Sequence, residues 1–467
     1  MKFQFTHLGA IDEATIELAP LTVICGLNNT GKTYVTYAIY ALLSTWRQLI
    51  DWEVSSSDMD QLFTNGTISI DLDERFVKLW PGIKERSSKN WLAYLPRALG
   101  APVERFKETQ IAFDFELDNT WKASPFKKEL RSEQGKILFT AEKSSGSGII
   151  EFAALKDKEQ GDFPRFALED FVSQTLLEAA LLPYLPPVFM ASAERTGAVI
   201  FKEELNLTKN KIVNFLATMD SNKHEQHPHK LFEAIYKGGY PLPVEHNVLF
   251  VNRFGSIEGS TSPLLVAHPT LAADFEKIAG GRYETNKEGV THFVPQGSKT
   301  KLQLREASSA ARSLVLIWYW LKSQAEKGHM LMVDEPELNL HPESQRAFAR
   351  FLAKLVNLGV QVFITTHSDT MLREFNTLIM LARNLEHINT ARQKYGYSAD
   401  ECLTTDKIRL YVANGKPLTA GGRAKKGAIS TLEGIIPGEK LGLAAAIFDN
   451  TINEMGEIQD AVRYGAI

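Results

Sequence analysis

The feature that most constrains this chain is a glycine-rich loop near its N-terminus. It fits the pattern G-x-x-x-x-G-K-[ST] and runs Gly26-Leu27-Asn28-Asn29-Thr30-Gly31-Lys32-Thr33. Glycines let backbone N–H groups turn inward with no Cβ in the way, so that several donors converge on one anion. In such a loop the lysine places a positive charge on the β- and γ-phosphates, and the hydroxyl after it ligates Mg²⁺. The pattern predicts an ATP site that extends to Tyr34.

The neighbouring sequence supplies the strand and the helix that such a loop requires. Residues 21–25 form an apolar run that is typical of a buried strand. Behind the loop, apolar residues recur at helical spacing, namely Val35, Ala38, Ile39, Leu42 and Leu43. The order strand, loop, helix predicts an α/β fold in which phosphate binds at the N-terminus of the helix.

Composition and charge limit the classes of protein to which this chain can belong. The chain has 467 residues, of which 44% are hydrophobic, so it can bury a large core. A net charge of −4 gives no overall basic field, so a nucleic-acid partner stays open without being indicated. Two cysteines cannot make a disulfide framework, and no apolar run reaches the ~18 residues of a membrane span. We therefore expect a cytoplasmic protein without membrane contact.

A second group of motifs lies about 300 residues after the loop. The apolar run 329–333 ends in Asp334 and Glu335. An aspartate there would hold Mg²⁺, and the glutamate after it would polarise the attacking water. The next apolar run, 360–364, leads to His367, which could reach a γ-phosphate from the carboxyl edge of the same sheet. The order of these elements predicts an ATPase with Glu335 and His367 as catalytic residues.

Two further pairs of polar residues have more than one interpretation. Ser308 and Ser309 precede an apolar helix, whose N-terminus presents free N–H groups and a positive dipole end to an anion. Helix capping alone would also explain these serines. Glu194 and Arg195 follow a short apolar run, and are either polar groups at the edge of a site or a surface ion pair.

Changes in sequence pattern along the chain predict its domains. The ATPase core comprises residues 1–50 and 300–395 with a strand near 185–195. Short β runs and a polar helical region make 51–299 an inserted β-lobe and helical lid, and 396–467 is a C-terminal α/β extension. Three histidines within 224–229 invite a metal site, but the proline and polar residues around them favour a loop.

The motifs together resemble those of ATP-binding-cassette-type (ABC-type) ATPases. The resemblance lies in the phosphate loop, the Ser308-Ser309 signature, Asp334-Glu335, the turn at 339–342 and His367. It implies that Glu335 is the catalytic base and His367 the γ-phosphate sensor. It also implies a head-to-tail ATP dimer, in which the signature of one protomer completes the nucleotide site of the other. The position of the family's glutamine loop stays open.

One departure from that family concerns the residues after the serines. Family signatures usually have a glycine there, whereas this chain has Ala310-Ala311. A methyl group at this point would hold the facing phosphate further away. The substitution therefore predicts slow hydrolysis, which suits a switch better than a motor.

Spacing distinguishes this chain from other branches of the superfamily. Transporter cassettes keep the two nucleotide motifs close together, and repair ATPases of the structural-maintenance (SMC) type fill the gap with heptad helices, whereas we find no sustained heptads here. Residues 5–33 and Ala193-Glu194-Arg195 are similar to the stand-alone ATPases of prokaryotic antiphage defence, the overcoming-lysogenization-defect (OLD) and Septu proteins. Size and arrangement are most similar to the ATPase subunit of the PARIS system.

The resemblance to the defence ATPases carries its own expectations about partners. It implies a homo-oligomer that works with a separate TOPRIM-type nuclease effector and responds to a phage-encoded trigger protein. The residues after His367 do not show the motif of a fused TOPRIM nuclease, which is a glutamate followed by an Asp-x-Asp pair. We therefore expect the effector to be another chain. A DNA-binding repair or recombination ATPase of the SMC/RecF type is the alternative.

Overall fold

The computed structural model describes residues 1–50, 52, 54–132, 136–154, 165–202, 239–286, 289–415, 419–420, 423–424 and 430–438. The described strands are β1 (Lys2–Leu8), β2 (Ile11–Glu17), β3 (Leu21–Gly26), β4 (Thr67–Asp71), β5 (Gln110–Asp114), β6 (Phe126–Arg131), β7 (Ile137–Lys143), β8 (Ile149–Ala154), β9 (Val188–Ala191), β10 (Gly281–Thr285), β11 (Thr291–Pro295), β12 (Leu302–Gln303), β13 (Met330–Asp334), β14 (Gln361–Thr366), β15 (Ile408–Gly415), β16 (Thr419–Ala420), β17 (Arg423–Ala424) and β18 (Ser430–Ile435).

The described helices alternate with these strands. They are α1 (Lys32–Leu49), α2 (Ser56–Asn65), α3 (Leu72–Arg75), α4 (Trp80–Leu99), α5 (Thr120–Ala123), α6 (Arg165–Leu181), α7 (Arg195–Ile200), α8 (Leu242–Asn252), α9 (Phe254–Ile257), α10 (Pro263–Ala267), α11 (Thr270–Ala279), α12 (Ser309–Ser323), α13 (Pro342–Asn357), α14 (Asp369–Met380) and α15 (Glu386–Tyr395).

Nine of the described strands form one sheet, in the order β5-β1-β2-β18-β15-β3-β14-β13-β9. The strands β9, β13, β14, β3 and β15 pair in parallel. Their carboxyl ends therefore meet at one edge of the sheet, where open α/β folds bind ligands. The antiparallel pair β1 and β2 leads into β3, as the alternating apolar residues predict. This mixed α/β sheet is the core of the predicted ABC-type ATPase fold.

The sheet separates two hydrophobic cores. Along β13, Met332 belongs to one core, while Leu331 and Val333 belong to the other. The first core includes apolar residues of α1, α4 and α6, and the second includes those of α12, α13 and α14. Because helices cover both faces, β3 is buried from Leu21 to Cys25 and β13 is buried along its whole length, as the apolar runs before Gly26 and Asp334 predict.

The insertion after α1 contains a smaller sheet in the order β4-β8-β7-β6, and β10, β11 and β12 form another sheet of three strands. One strand of the insertion behaves differently, because β5 pairs with β1 and forms an edge of the main sheet. The C-terminal segment likewise gives β15 and β18 to that sheet. The histidines of 224–229 lie outside the described residues.

Two observations bear on the chemical environment of the chain. No helix of the described residues has both the length and the apolar character needed to cross a bilayer. Cys25 and Cys402 are free and buried. Burial raises the pKa of the Cys25 thiol to about 12, so this group stays protonated and unreactive at neutral pH.

A single side chain closes the edge of the main sheet at β9. The amide oxygen of Asn247, on α8, accepts a hydrogen bond from the Ser192 N–H (3.0 Å), and its NH₂ group donates to the Met190 carbonyl. Asn247 is 1% exposed. Its amide therefore pairs backbone groups that a strand edge would otherwise leave open to another chain.

We predict that Asn247→Ala destabilises the protein without changing its fold. The substitution leaves a buried N–H and a buried carbonyl unpaired, which costs about 2–4 kcal/mol of unfolding free energy. Urea unfolding followed by circular dichroism measures the loss. Asn119→Ala is the matched control, because Asn119 is exposed and its side chain makes no capping hydrogen bond. Equal stability of the two variants would contradict the role of Asn247.

Candidate functional site

The phosphate loop lies between β3 and α1 and curls tightly. Gly26, Asn29 and Gly31 have φ angles of 134°, 62° and 90°. A Cβ on Gly26 would lie 2.7 Å from the Ala413 carbonyl oxygen, and one on Gly31 would lie 2.8 Å from the Ile11 side chain. Both positions therefore require glycine. No side chain caps α1, so its first N–H groups remain available to an anion.

Lys32 points its ammonium group into this loop. Its Nζ atom donates to the carbonyl oxygens of Gly26 (2.9 Å) and Leu27 (2.7 Å). Burial lowers the pKa of Lys32, while the carboxylates of Glu335 and Asp334 oppose this effect. A phosphate that enters the loop therefore meets a lysine held in place, and it competes with two carbonyls for the ammonium protons.

Asp334, at the end of β13, carries an unsatisfied buried oxygen. Its Oδ1 accepts a hydrogen bond from the Thr365 hydroxyl on the neighbouring strand β14. Its Oδ2 is buried and has no hydrogen-bond partner among the residues that the structure describes. Burial raises the pKa of the Asp334 carboxyl to about 6. A carboxylate and the Thr33 hydroxyl make an oxygen donor set that Mg²⁺ prefers, so the residues present fit this ion.

Glu335 and His367 are joined by a hydrogen bond. The Nε2 atom of His367 lies 2.6 Å from Oε1 of Glu335, and its Nδ1 atom lies 3.0 Å from the Gly26 carbonyl oxygen. Since both ring nitrogens face acceptors, the protonated imidazole satisfies both, and the Glu335 contact raises the pKa of His367. The same hydrogen bond lowers the pKa of Glu335 and keeps it ionised. His367 thus ties Glu335 to the phosphate loop.

The backbone at Glu335 has an unusual conformation. Its φ angle is 51°, in the left-handed region that side chains disfavour. The Glu335 N–H donates to both the carbonyl and the hydroxyl of Thr365, each at 3.1 Å. This conformation turns the Glu335 side chain away from the line of β13. In that position the side chain lines the cleft described below.

A cleft of about 770 Å³ brings most of the predicted residues together. Its walls are formed by Gly9, Ala10, Asn28, Asn29, Thr30, Gly31, Lys32, Thr33, Tyr34, Arg105, Glu335 and His367. Every residue predicted to bind nucleotide from the phosphate loop is among them, together with the two predicted catalytic residues. Asp334 lies buried beside this cleft, at the end of the strand that leads to Glu335.

Arg105 is a cleft residue that sequence reasoning missed, as are Gly9 and Ala10. It lies in a short 3₁₀ turn, Val103–Phe106, just before β5, and its Nη1 atom donates to the Tyr34 hydroxyl (3.3 Å). The side chain is exposed and adds a positive charge to the wall of the cleft. No local pattern marks this arginine, because only the pairing of β5 with β1 carries the inserted segment to the phosphate loop.

The signature serines do not line the cleft. Ser308 caps α12, since its hydroxyl accepts a hydrogen bond from the Ala311 N–H (3.2 Å). Ser308 and Ser309 are both exposed, and Ala311 is fully buried. Capping therefore accounts for Ser308 within one protomer. Ser309 faces solvent at the N-terminus of the helix and lies outside the cleft.

Arg195 and Glu194 have separate roles, and the surface ion-pair interpretation is wrong for Arg195. Arg195 is fully buried and donates to main-chain carbonyl oxygens. Glu194 is exposed and accepts a hydrogen bond from the Tyr37 hydroxyl at 3.0 Å. Both residues follow β9, the neighbour of β13, so they stand at the same sheet edge as Asp334.

The same region of the chain matches a known protein family. Residues 189–372 match the family model described as an AAA ATPase domain. The matched region is similar to AAA ATPase domains, and the mixed α/β sheet with its phosphate loop is a P-loop ATPase fold. The match includes the serine signature, Asp334, Glu335 and His367, and it begins after the phosphate loop. No curated protein matches this chain in sequence.

Solved structures of SMC heads are distantly similar to this chain. One is an Smc head bound to the C-winged helix domain of ScpA, at 11% identity and a TM-score of 0.33, covering 93% of this chain and 97% of that one. Another, from Pyrococcus furiosus, is an Smc head with an extended coiled coil bound to the C-terminal domain of ScpA, at 11% identity and a TM-score of 0.33, covering 99% and 98%. The SMC head from Thermotoga maritima has 10% identity and a TM-score of 0.30, covering 93% and 98%.

Proposed function

We propose that this protein is an ATP-binding and ATP-hydrolysing sensor and scaffold of an antiphage defence complex. It holds a separate TOPRIM-type nuclease and releases it when a phage protein is detected. The ATPase part rests on one observation, the cleft in which the phosphate loop meets the Glu335–His367 pair beside the unpartnered Oδ2 of Asp334. The defence part is supported by the resemblance of residues 5–33 and 193–195 to OLD and Septu proteins.

Each residue of the cleft has a role in this proposal. The triphosphate binds to the loop N–H groups and to Lys32, which exchanges its carbonyl partners for phosphate oxygens. Thr33 and Asp334 would hold Mg²⁺, which would neutralise negative charge on the triphosphate. Glu335 takes a proton from the attacking water. His367 contacts both Glu335 and the loop, so it can report whether a γ-phosphate is present.

We predict different outcomes for substitutions of Lys32 and of Glu335. Lys32→Ala abolishes nucleotide binding, because it removes the charge that faces the phosphates. Glu335→Gln keeps binding and lowers kcat by about 10²–10⁴-fold, because it removes the base and leaves the phosphate loop intact. Binding of a fluorescent ATP analogue with Mg²⁺ and release of phosphate measure the two effects. The ATP-bound assembly should accumulate in the Glu335→Gln variant.

Glu386→Gln is the matched control for these measurements. Glu386 is exposed in the first turn of α15, outside the cleft, and its replacement should leave kcat unchanged. Wild-type turnover in Glu335→Gln would remove Glu335 from its assigned role. Unchanged affinity in Lys32→Ala would contradict the proposed orientation of the phosphates.

The positions of the serines support a head-to-tail dimer as the active unit. A phosphate loop contacts the triphosphate from one side and leaves γ-phosphate oxygens facing outward. The N-terminus of α12 carries donors suited to those oxygens, but Ser308 and Ser309 lie outside the cleft of their own protomer. Two protomers in head-to-tail orientation would bring each signature onto the other's nucleotide.

Mixed dimers test this arrangement. Protomers with Lys32→Ala are combined with protomers carrying Ser309→Glu, each inactive by itself. In a mixed dimer both lesions fall on one composite site, and the other site is intact. An equimolar mixture should therefore recover roughly one quarter of the wild-type hydrolysis if protomers exchange freely. Hydrolysis in a strictly monomeric fraction would rule out shared sites, and Lys32→Ala protein alone is the negative control.

Purification of the native complex tests the proposed partner. The defence proposal predicts that a TOPRIM-type nuclease co-purifies with the ATPase and dissociates when a phage trigger is present. The alternative, a repair ATPase of the SMC/RecF type, predicts duplex DNA binding that weakens steeply with salt. The net charge of −4 favours the first outcome. Salt-sensitive DNA binding without a nuclease would overturn the defence proposal and leave the ATPase assignment in place.

A further inference from the structure

The geometry points to Arg195 as a positioning residue. We infer that it fixes the backbone of Glu335 for hydrolysis and couples Glu335 to α12, the helix that carries the signature serines. The inference rests on the proposed function, because that proposal makes Glu335 the base. It adds a residue that lines neither the cleft nor the phosphate loop.

The hydrogen bonds of Arg195 connect three parts of the ATPase core. Its Nε atom donates to the Ser313 carbonyl oxygen in α12 (2.8 Å), and Nη1 donates to the carbonyl oxygens of Ser192 (3.0 Å) and Asp334 (2.7 Å). Its Nη2 atom donates to the Glu335 carbonyl oxygen (2.9 Å). Among the described residues, all these acceptors belong to the main chain, so the side chain acts on the backbone rather than as one half of an ion pair.

The contact with Glu335 explains how an unfavourable backbone conformation persists. A left-handed φ at a residue other than glycine costs of order 1–2 kcal/mol. At Glu335 the N–H is held by Thr365 and the carbonyl oxygen by Arg195, so both peptide groups around the residue are fixed. Without the guanidinium, the carbonyl is free to rotate and the carboxylate moves away from its position against His367.

The contact with Ser313 explains why an arginine is needed. Its guanidinium is planar and rigid, and it presents several donors in fixed directions. It therefore reaches from α12 to the end of β13 and donates to four carbonyl oxygens at once. A lysine ammonium has all its donors on a single nitrogen, so it could not reach all four acceptors. Because Ser313 lies one turn after Ser309, a shift of α12 on meeting the partner's nucleotide would move the Ser313 carbonyl. Arg195 would transmit that movement to Glu335 in the same protomer.

The first test compares Arg195→Lys with wild type by separating binding from hydrolysis. We expect kcat to fall about 10–100-fold, because small misplacement of a catalytic group has effects of this size. The Kd for an ATP analogue with Mg²⁺ should stay within about twofold of the wild-type value, because Arg195 does not line the cleft. Arg350→Lys is the matched control, since Arg350 bonds Glu401 and the Gly396 carbonyl in a surface network. Its kcat should not change.

A purely structural role would lower stability in Arg195→Lys and leave kcat per folded molecule at the wild-type value, which would overturn the inference. If this variant does not fold, Arg195→Gln takes its place, because its uncharged planar amide avoids burying an ammonium group, and it is judged by the same criteria. Absence of hydrolysis in the wild type would instead overturn the proposed function. The two failures are therefore distinguishable.

The second test is a double-mutant cycle for the coupling. Ser309→Ala should lower kcat in the wild-type background, and it should have a clearly smaller effect in the Arg195→Lys background, where the link to Glu335 is already weakened. Additive effects of the two substitutions would refute the coupling, because they would show that α12 and Glu335 act independently.

Discussion

The parallel pairing of β9, β13, β14 and β3 is the constraint on which the site depends. Parallel strands place their carboxyl ends on one edge, and this edge receives Arg195, Asp334, His367 and the phosphate loop from segments far apart in the chain. Helices on both faces bury these strands in two cores, so the edge is held rigidly. Several polar groups can lie close together at this edge because they follow the ends of strands whose own side chains are mostly buried in the two cores.

The charged groups of the site are buried, and hydrogen bonds offset only part of the free-energy cost of removing them from water. Lys32 bonds two loop carbonyls, and Arg195 bonds four main-chain carbonyls. Asp334 is the exception, because its Oδ2 is buried without a partner and its pKa is raised by that burial. Buried unpaired oxygens of this kind are costly, so a cation bound to this atom would remove that cost.

The site was predictable from the sequence where its residues form contiguous motifs. The phosphate loop, Asp334-Glu335 and His367 each follow an apolar run, so local pattern was enough to place them at strand ends. Arg105 and the role of Arg195 were not predictable in this way. Arg105 reaches the cleft through the pairing of β5 with β1, and the partners of Arg195 come from three separate segments. Contacts of this kind leave no periodic signal in the chain.

By itself, the sequence determined the α/β class, the strands and helices around each motif, and the chemistry of the phosphate loop. These depend on local spacing and on glycine, whose freedom at Gly26 and Gly31 no other residue shares. Only the tertiary structure decided that β5, β15 and β18 join the main sheet, and that Ser309 lies outside the cleft. Strand order is set by packing between segments that are distant in the chain. The free energy of that packing depends on which faces meet, and the spacing of residues within one segment does not specify its partner.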